Sequence, residues 1–261
     1  MTDPAITFST AITRRPSVSV INGLRSYNAG NPDFTQLQKD HKAYVASLKA
    51  AGAEVIELEP LDDLADSVFV EDTALCLPDC AVMMRPGAES RQPEVAPMRH
   101  PIRQIFDTVF EITGPGSIEG GDILYTGQEI LVGTSERTDH AGISELSAFV
   151  EPRGYKVRTV ETPPGVLHFK TDCSLIDSKT ILSTARLAAS GCFSDYRVLL
   201  VPEGEEAAAN MIRFNDMLIM SNGFPKTADM LDAAGFTLVQ LNNSECAKID
   251  GGMSCLSLRI T

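Results

Sequence analysis

Three aspartates spaced fifty residues apart, Asp72, Asp122 and Asp172, each open the same succession of patterns, and this recurrence constrains the fold more than composition does. After Asp122, residues 123–133 read as two short apolar strands about a turn at Thr126, Gly127 and Gln128. A helical spacing follows over 141–150, closed by Pro152 and Gly154, and then a strand over 155–160. After Asp172 the order recurs as hairpin, helical span 187–194 and strand 197–201. After Asn210 it recurs again as hairpin, helix 227–234 and strand 236–241. The stretch after Asp72 carries a hairpin about Pro78 and Asp79, a helix, and a strand over 107–111. The final segment, 251–261, begins another unit and stops after one strand. Residues 16–58, with a helix over 34–51 and a strand over 54–58, supply the missing remainder. The expected fold is α/β: a closed five-bladed propeller of ββαβ units about a pseudo-fivefold axis, one domain over 1–261 zipped by its two ends.

Charge narrows what such a ring would meet. Lys and Arg number 22 against 35 Asp and Glu, a net −13. Nucleic acid and anionic membrane surfaces are held through Lys and Arg, so neither is an expected partner, whereas a small cation is favoured. Apolar runs such as 198–202 are far shorter than a membrane span needs, and no basic-then-apolar leader precedes Arg14, so the expected location is the cytoplasm. The six cysteines, Cys76, Cys80, Cys173, Cys192, Cys246 and Cys255, lack the paired spacing of a zinc site and should stay reduced. A reactive thiol among them must be singled out by its neighbours.

Four histidines are available for acid–base work. His41 falls among Lys39, Asp40 and Lys42 of the 34–51 helix and reads as part of its solvated face. His100 and His140 read as surface positions near helix starts. His168 sits between apolar Leu167 and Phe169 at the entrance to a hairpin, where a core histidine satisfied by its neighbours is the favoured reading of the residues alone. Cys255 follows the twin glycines Gly251 and Gly252 on an otherwise apolar strand, a setting in which most cysteines are inert. Glu119, Gly120, Gly121 and Asp122 repeat that grammar, which a turn would require anyway. Asp66, Glu71 and Asp72 bracket Val68, Phe69 and Val70 with no Lys or Arg nearby in sequence. Carboxylates held together raise one another's pKa, so the cluster is either a solvated strand end or a seat for a cationic ligand.

In this order the pieces resemble the dimethylarginine dimethylaminohydrolase family, within the guanidine-modifying (amidinotransferase-like) superfamily. The matching stretches are DSVFVED (66–72), RPGAESR (85–91), EGGD (119–122), GTSERT (133–138), LHFK (167–170) and KIDGGMSC (248–255). They extend from about Leu24 to the C-terminal end. EGGD alone is unspecific; the combination is specific. Phe169 departs from the leucine that more often follows the histidine, which should alter side-chain fit and leave chemistry alone. The resemblance implies a five-bladed α/β-propeller with Cys255 as nucleophile, His168 as acid and base, and Glu119 orienting His168. It also implies that Asp66, Glu71 and Asp72 hold the guanidinium and amine ends of the substrate. Arg91 and Arg137 would bind its α-carboxylate, with Leu24, Phe69 and Ile249 completing the pocket.

The implied reaction converts asymmetric dimethylarginine or monomethylarginine to citrulline plus dimethylamine or methylamine. It runs through an amidino-thioether on Cys255, with no metal or organic cofactor, in a monomer or homodimer. An arginine deiminase or a hydrolase of another guanidine is the rival of the same class, although arginine deiminases usually carry a further helical insertion. A non-catalytic propeller acting as a binding protein is the rival of another class, and such a chain should lack the cysteine or the histidine.

Overall fold

The computed structural model describes residues 3–261; Met1 and Thr2, the start of the stretch read for a leader, lie outside it. Its chain folds into five three-stranded sheets of one design, the hairpin followed by a parallel third strand that a helix or helical turn leads into. The first sheet holds β1 (Thr10–Arg14) beside β2 (Glu54–Leu58), with helix α1 (Phe34–Ala50) between them in the chain. Next come β3 (Ala74–Leu77), β4 (Cys80–Met83), α2 (Arg99–Arg103) and β5 (Val109–Glu111). The third unit has β6 (Ile123–Tyr125), β7 (Ile130–Thr134), α3 (His140–Val150) and β8 (Val157–Glu161). The fourth has β9 (Cys173–Asp177), β10 (Thr180–Ser183), α4 (Ala185–Ala188) and β11 (Arg197–Leu200). The fifth has β12 (Ile212–Phe214), β13 (Met217–Ser221), α5 (Pro225–Ala233) and β14 (Thr237–Leu241). After a short helix, α6 (Ser244–Ala247), strand β15 (Leu258–Ile260) returns to the first sheet and pairs antiparallel with β1, Ile12 opposite Leu258.

The ring is closed by apolar burial as well as by that pairing. Core side chains form five clusters, one at each junction between neighbouring blades. The blade made from both ends of the chain is flanked like any other: Ala11 packs toward Ile212 and Phe214 on one side, Ile12 toward Val70 and Met83 on the other. Each fully buried aliphatic side chain contributes roughly 1.5–3 kcal/mol, so an unfilled junction would cost more than any single ion pair returns. Burial also grades outward. The middle strands β4 and β10 are buried at every position, whereas the third strands β2 and β14 have no fully buried residue and expose their first and fourth.

Several expectations are corrected. The strand that completes the last unit is Thr10–Arg14, ahead of the 16–58 segment expected to hold it. Cys255 lies in the single helical turn Ser254–Leu256 just before β15, and not on a strand. The helix expected over 187–194 occupies Ala185–Ala188 and gives way to turns. His41 is buried in α1 beside Leu37, Tyr44 and Leu48, because its spacing puts it on the helix's apolar face although its sequence neighbours are charged. His100 and His140 are exposed, as expected.

A shared device sets the central end of each unit. One turn of 3-10 helix precedes each inner strand: Val70–Thr73, Gly120–Asp122, Phe169–Thr171, Glu206–Ala209 and Ser254–Leu256. Phe69, Glu119 and His168 occupy the same position, immediately before the turn, in three successive units. The hairpin-opening residues link a unit to the next. Asp72 Oδ1 accepts the Gly121 N–H at 2.8 Å, and Asp122 Oδ1 accepts the Phe169 N–H at 2.8 Å. Asn210 Oδ1 accepts the Ser254 N–H at 2.9 Å. Asp172 breaks the series, accepting from Arg186 and Thr184 of its own unit.

Candidate active site

Glu119 and His168, at equivalent positions of adjacent units, meet across the ring, with His168 Nε2 2.6 Å from Glu119 Oε2. The carboxylate is fully buried, and its other oxygen accepts from the Gly87 N–H at 3.0 Å and from Arg137 Nη1 at 3.4 Å. Burial pushes Glu119 up, but the His168 hydrogen bond and the charges of His168, Arg91 and Arg137 overcome it and hold the acid down to about 2. Burial disfavours the His168 imidazolium, yet Asp72, Asp122 and Glu119 outweigh that and lift it to about 9. The pair is a charged acid–base couple at neutral pH. Gly121 is required here for its missing side chain: a Cβ would lie 2.8 Å from His168 Cγ and Nδ1, so the imidazole rests against the backbone.

Cys255 shares two cavities with His168. The small one, about 30 Å³, is lined by Leu24, Asp66, Phe69, Asp72, Arg91, Arg137, Leu167, His168, Ile249, Asp250 and Cys255. The large one, about 620 Å³, borders the same thiol and imidazole and includes Ser26, Tyr27, Asn210, Gly252 and Ser254. Burial and the Glu71 and Asp72 carboxylates push the Cys255 thiol up to about 12, against the Gly252 N–H at 3.4 Å from Sγ and the charge of Lys170. An unoccupied site therefore keeps the sulfur protonated, and a cation bound beside it would favour the thiolate. The other cysteines are also free thiols; Cys80, Cys173, Cys192 and Cys246 are buried.

All eleven residues singled out from the sequence converge on this region, but not in the same way. Nine line the small cavity; Glu119 stands behind His168, and Glu71 lies to the other side. The expectation that the acidic cluster lacks basic partners is corrected. Glu71 is held by Lys170 Nζ at 2.6 Å, Arg259 Nη2 at 2.7 Å and Ser254 Oγ at 2.7 Å. Burial pushes its carboxyl up, but those two cations pull it below the ordinary range. Arg91 is likewise committed: Nη1 to Asp72 at 2.5 Å, Nε and Nη2 to Glu94 at 3.1 and 2.8 Å, and Nη2 to the Phe69 carbonyl at 3.0 Å. With five N–H donors, it has one left on Nη1. The Asp66 carboxylate stays sparsely paired, accepting only the Leu24 N–H at 3.0 Å, and burial raises its pKa.

Lys170, Arg259, Glu94 and Asn210 were not marked as site residues by sequence reasoning. Lys170 stood inside the LHFK motif and Asn210 at a hairpin opening, so both carried a signal; Arg259 and Glu94 carried none. Asp72, Glu119 and His168 each bring one ligand atom within 4.8 Å of the others. Arg91, Gly87, Gly121 and the imidazole itself already engage those atoms, so a metal ion would have to displace them.

A ring of five ββαβ blades with a thiol, an imidazole and a carboxylate at its centre defines a guanidine-modifying propeller. A sequence model described as arginine deiminase matches residues 60–199. Over 253 residues the chain is 35% identical to the N(G),N(G)-dimethylarginine dimethylaminohydrolase of Pseudomonas aeruginosa, an alignment covering 97% of this chain and 99% of that protein. It is 35% identical over 251 residues to the enzyme of the same name from Streptomyces coelicolor, covering 96% of each. A solved structure of the Pseudomonas aeruginosa protein, a Cys-to-Ser variant complexed with citrulline, matches with a TM-score of 0.94 at 34% identity, covering 97% of this chain and 99% of that one. The chain belongs to the dimethylarginine dimethylaminohydrolase family. No helix among the described residues is long and apolar enough to cross a membrane.

Proposed function

We propose that the protein hydrolyses asymmetric dimethylarginine and monomethylarginine to citrulline and the corresponding methylamine, through a covalent intermediate on Cys255. The observation that carries this reading is the 2.6 Å His168–Glu119 pair beside a thiol at the boundary of a cavity walled by Asp66 and Asp72. In this reading the guanidinium lies on Asp72 against Cys255. Its charge offsets the acidic field that keeps the thiol protonated, so on binding the thiol gives its proton to solvent, His168 already carrying one, and the nucleophile forms where the electrophile already sits. Sulfur attack gives a tetrahedral adduct, and the C–N bond to the methylated nitrogen breaks as the His168 imidazolium protonates the departing amine. The neutral imidazole then takes a proton from water, which displaces sulfur from the amidino carbon and leaves the ureido product. Glu119 keeps the imidazole oriented and its charged form favoured through both steps.

The substrate's α-carboxylate is assigned chiefly to Arg137, half-buried with one long contact, while Arg91 offers a single remaining N–H. Asp66 and the backbone of Leu24 and Ile249 take the α-ammonium, and Phe69 covers the pocket. Glu71 enters as the residue that anchors Lys170 and Ser254 around the site. The chain acts as a single catalytic domain, monomeric or homodimeric, in the reducing cytoplasm where its thiols stay free.

The deciding experiment is kcat/KM, read as citrulline release, for asymmetric dimethylarginine, monomethylarginine, symmetric dimethylarginine and arginine under one set of conditions. With Glu71 engaged, few acceptors face the guanidinium, so its methylated end meets groups that demand no hydrogen bond. Arginine would leave two N–H donors unpaired there, at about 1–3 kcal/mol each, and should be at least roughly tenfold poorer. Equal turnover of arginine would overturn the substrate assignment and leave the hydrolase class standing. Near-native turnover by Cys255→Ser would overturn the class as well.

A further inference from the structure

Asn210 stands where two preceding units have aspartates that also grip the next unit's turn, and its amide does what a carboxylate there could not. Oδ1 accepts the Ser254 N–H at 2.9 Å, while Nδ2 donates to Ser254 Oγ at 3.1 Å and to the Lys170 carbonyl at 3.0 Å. One side chain therefore ties the turn that carries Cys255 to the turn that follows His168. The donor half is required by what surrounds it. Ser254 Oγ spends its hydrogen on Glu71, and the Lys170 carbonyl is an acceptor, so an aspartate at 210 would face two oxygens and the Glu71 charge behind them. The chain makes room for this amide. Gly252, which donates its N–H to Cys255 Sγ, has an unremarkable φ but sits so close that a Cβ on it would overlap Asn210 Cγ and Oδ1.

We infer that Asn210 is a positioning residue of the reaction: through Ser254, Gly252 and Lys170 it fixes the Cys255 sulfur relative to the His168 imidazole. The inference rests on the reading of Cys255 as nucleophile. Asn210 does not line the small cavity that takes the amino-acid end of the substrate, so it bears on the chemical step and not on binding.

The test compares Asn210→Ala, Asn210→Asp, Gly252→Ala and the Asn210→Ala/Gly252→Ala double variant. Two readouts are used: kcat and KM for asymmetric dimethylarginine, and the pH dependence of Cys255 alkylation by iodoacetamide without substrate, located by mass spectrometry. Asn210→Ala should lose roughly 100-fold in kcat, the cost typical of a reacting group displaced by about 1 Å, with KM changed less than about threefold. Asn210→Asp should lose at least as much. In both, alkylation should slow at a given pH as the sulfur loses the Gly252 N–H. Gly252→Ala should show the same signature by pushing Asn210 aside, and the double variant should be no worse than Asn210→Ala alone, because the clash is gone. Since Gly252→Ala reaches the same contact from the opposite side, the inference stays testable should Asn210→Ala fold poorly. A kcat for Asn210→Ala within about threefold of the parent would overturn it. So would full activity in Asn210→Asp, a loss residing in KM, or additive losses in the double variant. If Cys255→Ser is inactive while Asn210→Ala is normal, only this inference fails; if Cys255→Ser is active, the functional reading beneath it fails first.

Discussion

The chain buries two histidines, and their surroundings drive them in opposite directions. His168 stands at the centre of the ring among Asp72, Asp122 and Glu119 and is lifted to about 9. His41 lies on the inner face of α1, where burial alone lowers it to about 4 and its Nε2 finds no hydrogen-bond partner. Both are nearly inaccessible, at 8% and 2% exposure, so burial does not separate them. What separates them is whether the fold delivers counter-charge. The turns before the inner strands deliver it to His168 through Asp72, Glu119 and Asp122; the flank of a helix delivers apolar contacts to His41. A perturbed histidine is therefore a mark of function here only where partners converge.

The comparison breaks most visibly on removal of each ring. His168→Ala should lower citrulline turnover by about 10²–10⁴-fold, because it would delete the proposed acid and base of both steps, whereas His41→Leu should keep kcat within about twofold. Comparable losses in the two variants would mean that His168 matters only for folding. Intact mass spectrometry of His168→Ala with substrate also tests whether an amidino adduct accumulates when hydrolysis of the intermediate is the slower step.

Taking away one counter-charge is the next largest step. Glu119→Gln should cut kcat by roughly 10–100-fold and drop the His168 pKa from about 9 toward 6.5, which imidazole NMR reads directly. The alkaline limb of kcat should move down with it. An unshifted imidazole would show that Asp72 and Asp122 alone set its charge.

The same contrast of delivered and undelivered partners applies to the arginines. Arg137→Lys should raise KM about tenfold for methylated arginines and much less for a decarboxylated analogue, since a lysine cannot fork onto a carboxylate. Arg91→Lys should instead lower the melting temperature, because Asp72, Glu94 and the Phe69 carbonyl lose a buried partner. If the two variants behave alike, Arg91 is a carboxylate clamp after all.

The smallest effect is on stability against pH. His41 is kept neutral in the fold, so the unfolded chain binds its proton first on acidification. Its contribution is present above pH 6.5 and is lost as pH falls through 6.5 toward about 4. His168 has the opposite sign, contributing below pH 6.5 and losing that contribution as pH rises through about 9. His41→Leu should therefore regain about 1 kcal/mol at pH 5.5 relative to pH 7.5 in urea unfolding. An unchanged acid slope would place the acid sensitivity elsewhere.

Much of this protein is legible in one dimension because its units repeat. A hairpin, a helical span and a third strand are local patterns of apolar spacing and turn residues, and their recurrence after Asp72, Asp122, Asp172 and Asn210 is enough to specify a ring of blades. The short motifs around Glu119, His168 and Cys255 were likewise visible, since glycines that admit close approach leave a mark in sequence. What only the tertiary structure decided was partnership. Glu71 has no basic neighbour in the chain, yet Lys170, 99 residues away, and Arg259, 188 residues away, close on it once the ring forms. His41 sits among charges in sequence and among aliphatic side chains in space. Local pattern is set by interactions within a few residues, which the order of amino acids states outright; pKa and pairing depend on charges brought within a few ångströms from remote blades, which it does not.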